Sequence, residues 1–352
     1  MRFVLACCLA ALLAACQSAP SETEVPRPQL AAAGAATALP APRLLGGRLI
    51  AADGAVLPLR AWLPTGAPAA VVLALHGFDD YSNAFAVPAR LWAERGIATY
   101  AYDQRGFGNA PGRGRWFGAR RLAADAATAI ALLHRRYPGT PVYLLGESMG
   151  GAVAILAASG RAGIAPPKVD GVILVSPAVW GRDTMNPIER VGLFLAGLLP
   201  GVHWSATLLP VHIHPSDNVP MLRAYSTDPL VIKDTRSDTL NGLVDLMSAA
   251  LAAAPALDTP LFLLYGEHDE IVPRAPVARF VAGLPANDRS WQRIALYPKG
   301  YHMLLRDLHG TIPTGDIAAW IAAPAAPLPS GADSDARQRL IGPTAPIEAA
   351  LP

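Results

Sequence analysis

The stretch Val142–Gly151, VYLLGESMGG, decides the fold of this chain. A run of β-forming residues ends in Gly-Glu-Ser-Met-Gly, and further small residues follow at once. The pattern G-x-S-x-G between a strand and a helix is typical of a nucleophile elbow, a sharp turn that strains the backbone of its serine. Gly146 and Gly150 are required because a Cβ at either position would clash across the turn. The turn would hold the Ser148 hydroxyl at a helix N-terminus, where backbone N–H groups stabilise an anion.

The N-terminus has the pattern of an exported protein. Arg2 precedes an apolar run over residues 3–15, which is too short to span a bilayer and fits the core of a signal peptide. The run ends in Leu-Ala-Ala-Cys, which resembles the bacterial lipobox and implies removal of residues 1–15 and lipidation of Cys16. Since the next residue is not aspartate, we expect a lipid anchor in the outer membrane of the bacterial cell envelope, on its periplasmic face. An ordinary secretory signal with a coincidental cysteine is the alternative.

Composition indicates one large globular domain between two tails. Hydrophobic residues make up 52% of the 352 residues and charged ones 16%, which is enough to bury a sizeable core. The formal net charge of +2 gives no reason to expect nucleic acid as a partner. The cysteines lie at positions 7, 8 and 16, so we expect no disulfide in the mature chain. Residues 16–43 and 323–352 are rich in Ala and Pro, which predicts a flexible tether and a disordered or loosely draped tail around a domain at 44–322.

Strand and helix signals alternate through this domain, which predicts an α/β fold with a mostly parallel sheet and helices on both faces. An antiparallel hairpin is expected first, from strands at 44–50 and 57–63. Further apolar runs of strand length then occur at 70–75, 97–102, 169–175, 260–265 and 290–297. Helical spacing of apolar residues predicts helices near 84–95 and over 120–137. The loops that follow the parallel strands are expected to carry the chemistry, at the carboxyl edge of the sheet.

Several short motifs occur in a fixed order along the chain. They are His76-Gly77-Phe78, Asp103–Gly108, Tyr137-Pro138-Gly139, the elbow, Ser176-Pro177-Ala178, Ser226–Pro229, Gly266–Asp269 and Gly300-Tyr301-His302. With this set the chain resembles the α/β-hydrolase superfamily, in particular its monoacylglycerol lipase and lysophospholipase group with a serine aminopeptidase-like hydrolase domain. The resemblance covers about residues 44–322 and implies the α/β-hydrolase fold with an inserted cap. It does not distinguish a glyceride lipase from a lysophospholipase or a general carboxylesterase.

Candidate catalytic residues follow from the chemistry that Ser148 requires. A serine hydroxyl needs a base within hydrogen-bond reach and a carboxylate to orient that base, and in this fold the acid precedes the histidine along the chain. His302 is the candidate base because it follows the last strand in a short glycine-containing loop. The alternative is that His302 is an ordinary surface-loop histidine, and His309 is the second candidate for the base. Asp269 is the candidate acid, in the place where the resemblance puts it. Its rivals are Asp258, Glu267 and Glu270.

The resemblance also implies an oxyanion hole made of two backbone N–H groups, those of Phe78 and Met149. Met149 follows the candidate nucleophile at a helix start, and Phe78 follows a strand and His76-Gly77. His76 is expected to shape this loop rather than to take protons. Asp103 and Arg105 are expected to form a structural turn with charge pairing, the alternative being direct contact with substrate.

An insert at about 178–245 replaces a simple crossover, and the resemblance implies a cap over the site. Its apolar side chains are candidates for binding an acyl chain; the alternative is that they pack the cap onto the core. The candidates are Trp180, Phe194, Leu195, Leu198 and Trp204. A metal site is suggested only weakly by His203, His212, His214 and Asp217, because the H-x-H spacing is loose and no cysteine supports it. The expected mechanism needs neither a metal nor a cofactor.

These observations predict an exported, lipid-anchored serine hydrolase that cleaves carboxylic esters through an acyl-enzyme. Monoacylglycerols or lysophospholipids are the favoured substrates, because the anchor would place the enzyme beside them. A general carboxylesterase is the first alternative. An amidase or aminopeptidase-like enzyme would need a site for a substrate ammonium, and the cap offers few carboxylates apart from Asp183, Glu189 and Asp217. A non-catalytic envelope lipoprotein is the third alternative, against which the complete set of candidate catalytic residues argues.

Overall fold

A nine-stranded sheet forms the centre of the computed structural model, which describes residues 40–205, 213–286 and 291–342. The strands in chain order are β1 (Arg43–Leu45), β2 (Arg48–Ile50), β3 (Val56–Trp62), β4 (Ala70–Leu75), β5 (Ile97–Tyr102), β6 (Val142–Glu147), β7 (Gly171–Val175), β8 (His203–Ser205), β9 (Asp234–Arg236), β10 (Leu261–Gly266) and β11 (Gln292–Tyr297). The order across the sheet is β1-β2-β3-β5-β4-β6-β7-β10-β11, while β8 and β9 form a separate antiparallel ribbon. All pairs from β5 to β11 in the sheet are parallel, so the carboxyl ends of these strands share one edge.

Helices cover both faces of the sheet. They are α1 (Ala86–Ala93), α2 (Ala119–Arg136), α3 (Met149–Ala158), α4 (Pro187–Gly197), α5 (Val219–Thr227), α6 (Ser237–Ala252), α7 (Arg274–Gly283), α8 (Thr311–Ala322) and α9 (Ala336–Ile341). On one face α1 and α8 bury Trp92 and Trp320 against the sheet. On the other face α2, α3, α6, α7 and α9 contribute to a larger apolar core. The predicted fold class is therefore confirmed.

The predicted strands at 70–75 and 97–102 are confirmed to the residue, because both are continuous apolar runs whose side chains are buried on both faces of the sheet. The single strand predicted over 44–50 is wrong. The chain turns at Gly46 and Gly47, which have φ angles of +51° and +75°, and β1 folds back on β2. Only glycine adopts these angles without strain, so the pair ends one strand and begins another. The predicted antiparallel hairpin is present, between β2 and β3.

The C-terminal segment also differs from its predicted loose conformation, as far as residue 342. Leu328, Ala336 and Leu340 are buried, and α9 packs near α7 and β11. Arg293 on β11 forms an ion pair with Asp333, with a nitrogen–oxygen distance of 2.5 Å. Proline-rich composition predicts irregular backbone but not its burial, and here buried apolar side chains and ion pairs hold the segment against the domain.

The insertion between β7 and β10 contains α4, β8, α5, β9 and α6. The predicted cap boundary at residue 245 is wrong, because it falls inside α6, whose Val244, Met247 and Leu251 are buried in the core. Within the described ranges, no helix has both the length and the hydropathy needed to cross a bilayer. The predicted signal peptide and Cys16, with His212 and most of the tether, lie outside the described residues.

Candidate active site

The strand β6 turns into α3 at Ser148, as the motif predicts. Ser148 has φ +52° and ψ −118°, which lies outside the regions that L-residues normally occupy. A Cβ on Gly146 would lie 2.2 Å from the Gly150 carbonyl oxygen, and a Cβ on Gly150 would lie 2.0 Å from the Leu75 carbonyl oxygen. Both distances are too short for any side chain, so the two glycines are what allows the turn.

His302 and Asp269 lie side by side at the carboxyl edge. Asp269 follows β10 and His302 follows β11, and these strands are parallel neighbours. Nδ1 of His302 donates a hydrogen bond of 2.8 Å to Oδ2 of Asp269, and the Asp269 side chain is fully buried. The other Asp269 oxygen accepts the backbone N–H groups of Ile271 and Val272, both at 2.9 Å. The carboxylate is therefore held in place from both sides.

Charge raises the pKa of His302 above its ordinary value. Burial by itself lowers this pKa, but the charge and hydrogen bond of Asp269, together with the nearby carboxylate of Glu147, outweigh burial. Among the described residues, Nε2 of His302 has no hydrogen-bond partner. This is the atom that is free to take a proton once the ring is neutral.

The loops that carry these groups meet around Ser148. Arg306, in the segment that follows His302, has its Nη2 3.4 Å from Oε2 of Glu147, the residue before Ser148. A Cβ on Gly77 would lie 3.4 Å from Cβ of Ser148 and 3.9 Å from its Oγ. The candidate nucleophile, base and acid and the predicted oxyanion loop are thus gathered at one end of the sheet.

The candidate oxyanion donors are the backbone N–H groups of Phe78, which follows the Gly77 that lies against Ser148, and of Met149, which directly follows Ser148. Neither of them donates a hydrogen bond to another part of the chain that the structure describes. His76 holds the first of these loops: its Nε2 accepts the Gln104 N–H at 2.9 Å, so its Nδ1 carries the proton and donates to the Gly77 carbonyl at 2.8 Å. Burial lowers the pKa of His76, which keeps the ring neutral. His76 therefore shapes the loop.

The rival acids and the spare histidine are engaged elsewhere or lie at the surface. Asp258 is exposed, before β10 and so at the opposite edge of the sheet. Glu267 pairs with Arg339 at 2.7 Å, Glu270 accepts the His214 N–H at 2.7 Å, and His309 is exposed. Asp269 is the carboxylate that reaches the candidate base.

Asp103 and Arg105 make internal contacts, as expected for a structural turn. Asp103 accepts the Ser82 hydroxyl at 2.6 Å. Arg105 binds Asp125 at 2.5 Å and Asp53 at 2.7 Å, and its guanidinium lowers the pKa of Asp53 to about 2. These pairs join the turn after β5 to α2 and to the β2–β3 hairpin, and they occupy the groups that a substrate would need.

A buried charged cluster next to Ser148 was not predicted from the sequence. It consists of Asp79, Asp80, Glu147 and Arg306. Burial raises the pKa of Asp79 to about 7 and also raises the pKa of Glu147. A signal was available: Glu147 ends a strand that is otherwise apolar, and a carboxylate buried there needs a cation nearby.

The apolar cap candidates fall into two groups. Trp180 packs against the core, which is the alternative that the sequence left open. Phe194 and Leu195 on α4 and Leu198 directly after it are instead 54% to 65% exposed. Trp204 is 44% exposed, and its Nε1 donates a hydrogen bond of 2.7 Å to the Ser237 hydroxyl. Exposed apolar side chains in this number on one helix are typical of a surface that meets another apolar phase.

The weak metal hypothesis gains no geometric support from the described residues, where no three His, Cys, Asp or Glu side chains stand close enough to share an ion. His214 instead lies 3.4 Å from Glu270, and His212 lies outside the described residues.

Comparison with known proteins adds an independent finding. The Hydrolase_4 family, described as serine aminopeptidase, S33, matches residues 66–309. Human monoglyceride lipase is 28% identical over 268 residues, covering 74% of this chain and 84% of its own. Monoacylglycerol lipase of Mycolicibacterium smegmatis is 26% identical over 269 residues, covering 74% and 91%. The crystal structure of Paleococcus ferrophilus monoacylglycerol lipase superimposes with a TM-score of 0.61 at 25% identity, covering 76% of this chain and 98% of that one.

Proposed function

Because the chain belongs to the Hydrolase_4 family and is an ester-hydrolysing serine hydrolase, we propose that monoacylglycerols are its main substrates, with lysophospholipids as the second class. The main structural support for this chemistry is the hydrogen bond of 2.8 Å between His302 and Asp269, at the same end of the sheet as the strained Ser148. The relatives named as monoglyceride lipases support the choice of substrate.

In the proposed mechanism, Ser148 Oγ attacks the ester carbonyl while Nε2 of His302 takes its proton. Asp269 keeps the ring in the Nδ1–H tautomer and stabilises the imidazolium that forms. The imidazolium then gives its proton to the departing alcohol, which leaves an acyl-enzyme. A water molecule, activated by the same ring, releases the fatty acid and restores the serine.

The developing oxyanion would be bound by the N–H groups of Phe78 and Met149. The position of Met149 at the first turn of α3 supports this role, because the helix dipole favours negative charge there. Loss of one such donor typically costs about 3–4 kcal/mol of transition-state stabilisation.

The exposed apolar side chains of α4 support a lipid substrate. Ile188, Val191, Leu195 and Leu198 recur at helical spacing and are 54% to 84% exposed, whereas Leu193 is the residue of this helix that is buried. We propose that this face contacts the acyl chains of the substrate or of the lipid phase that contains it.

An aminopeptidase-like activity is less well supported, because the carboxylates that could bind a substrate ammonium have other partners. Asp183 pairs with Arg279 at 2.6 Å, Glu189 caps α4, and Asp217 accepts the Leu308 N–H at 2.8 Å. Of the carboxylates beside Ser148, Asp80 and Glu147 are paired with Arg306, and Asp79 accepts the Thr235 hydroxyl at 2.6 Å.

The test is labelling with a fluorophosphonate probe, followed by kinetics on a panel of esters. Wild type and the control Ser159→Ala, at the far end of α3, should label, and Ser148→Ala should not. Labelling that survives in Ser148→Ala rejects the assigned nucleophile. Monoacylglycerols of medium and long chain should be hydrolysed faster than acetyl esters, lysophosphatidylcholine and aminoacyl amides. A preference for acetyl esters rejects the lipase but keeps the esterase.

We further propose that Cys16 carries a lipid anchor that places the domain at the bacterial outer membrane. The Leu-Ala-Ala-Cys pattern after the apolar run supports this proposal. Metabolic labelling with a fatty-acid analogue should mark the wild type and the control Cys8→Ser, but not Cys16→Ser. An unlabelled mature wild type would indicate ordinary secretion.

A further inference from the structure

One guanidinium connects three of the loops that form the active site. Arg306 lies four positions after His302, and 10% of its side chain is exposed. Its Nη1 is 2.8 Å from Oδ2 of Asp80, on the loop of the candidate oxyanion donor. Its Nη2 is 3.4 Å from Oε2 of Glu147, which precedes Ser148. The same side chain therefore touches the oxyanion loop and the nucleophile elbow, and its own backbone belongs to the loop of the base.

Arg306 provides the counter-charge for two buried carboxylates. The side chains of Asp80 and Glu147 are 4% and 3% exposed, so water does not solvate them. Oε1 of Glu147 has no hydrogen-bond partner in the described part of the chain, and Arg306 is the cation that contacts both carboxylates. The guanidinium also lies 5.7 Å from the centre of the Tyr225 ring, on α5 of the cap. Separation of any of these loops would leave a buried charge unpaired, which is strongly unfavourable.

We propose that Arg306 is a positioning residue for ester hydrolysis. By pairing with Asp80 and Glu147, it sets the distances between the Phe78 N–H, the Ser148 hydroxyl and the His302 ring. This role rests on the proposed serine-hydrolase mechanism and adds a residue to it. A guanidinium presents separate N–H groups to the two carboxylates, whereas the single ammonium of a lysine is a compact point charge.

The first test is the turnover of Arg306→Lys and Glu147→Gln. Lysine keeps the charge but cannot bridge both carboxylates, and glutamine keeps the shape of Glu147 while removing its charge. We expect kcat to fall about 10- to 100-fold in each variant, with KM changed by less than about threefold, because small displacements of catalytic groups have effects of this size. The rate of phosphonate labelling of Ser148 should fall with kcat. The double variant should be no slower than the slower single one, since both changes break the same contact.

The second test is the pH profile, which reports whether the charges of Glu147 and Arg306 act on the His302 ring. The charged groups around His302 are Asp269, Glu147 and Arg306, and Glu147 raises its pKa while Arg306 lowers it. In Glu147→Gln the acid limb of kcat/KM should therefore move to lower pH. In Arg306→Met it should move to higher pH. If Arg306→Met does not fold, the turnover of the other two variants decides.

A control variant separates this role from the general loss of an ion pair. Arg121→Gln removes the ion pair between the exposed Arg121 on α2 and Asp53, and it should leave kcat unchanged. Folded Arg306→Lys and Glu147→Gln proteins with kcat within twofold of the wild type would overturn the positioning role while the hydrolase mechanism stands. A wild type that neither labels nor hydrolyses esters would reject the mechanism itself, and the positioning role with it.

Discussion

Replacement of the strained serine by glycine should stabilise the protein. Ser148 has φ +52° and ψ −118°, outside even the left-handed helical region that some side chains tolerate. A residue with a Cβ in such a conformation costs about 1–3 kcal/mol. Glycine has no such cost, but its greater conformational entropy in the unfolded chain reduces the gain in stability by about 0.4–1 kcal/mol. The free energy of unfolding of Ser148→Gly should therefore be about 1 kcal/mol higher than that of Ser148→Ala, which lacks the hydroxyl but keeps the Cβ.

The assay is urea denaturation of the two variants, supported by thermal unfolding. For a domain of this size, about 1 kcal/mol corresponds to about 2 °C in Tm. A matched pair on α2 provides the control: Ala127→Gly should lower stability by about 0.5–1 kcal/mol, since ordinary helical angles favour alanine. If Ser148→Gly is no more stable than Ser148→Ala, the elbow stores no strain in its serine and the argument fails. Both variants should be inactive as esterases.

Three further outcomes are expected. Gly150→Ala should reduce the free energy of unfolding by about 3 kcal/mol, because its Cβ would lie 2.0 Å from a backbone oxygen. In the control Gly77→Ala the nearest contact of the new Cβ is 3.4 Å, so the free energy of unfolding should fall by less than about 1 kcal/mol in the same urea denaturation. Asp269→Asn should lower kcat by about 10⁴. The acid limb of its pH–rate profile should also move to lower pH, because the charge of Asp269 no longer raises the pKa of His302 against the effect of burial; an unmoved limb would contradict the assignment. Leu198→Ser, at a site 60% exposed, should leave the unfolding free energy within about 0.5 kcal/mol. It should nevertheless slow the hydrolysis of micellar monoacylglycerol more than the hydrolysis of a soluble acetyl ester. If both rates change by the same factor relative to wild type, the result would argue against lipid contact by this apolar face.

Local sterics and hydropathy made much of the fold predictable. The strands β4 and β5 begin and end where their apolar runs do, because both are buried on two faces. The elbow at Ser148 was predictable because Gly146 and Gly150 leave room for one tight turn. The contact between Asp269 and His302 was predicted from the position of His302 after the last strand and from the place where the family resemblance puts the acid.

Other features depended on contacts that composition does not encode. The segment 323–342 has the residues of a loose tail, yet it packs through a few apolar side chains and the pair Arg293–Asp333. The apolar residues of the cap were ambiguous between packing and exposure. Trp180 packs against the core, whereas most apolar side chains of α4 stay exposed. The difference depends on which side chains face the surface of the folded domain.

The sequence by itself determined the nucleophile turn, its flanking glycines, and the order of the acid and the base, since each depends on neighbouring residues or on the direction of the chain. Only the tertiary structure decided which cation neutralises Glu147. Arg306 lies 159 positions away from it and comes within 3.4 Å because β6 and β11 end at the same edge of the sheet. The physical reason is that a buried carboxylate requires a counter-charge, but its choice depends on which loops the assembled sheet brings together.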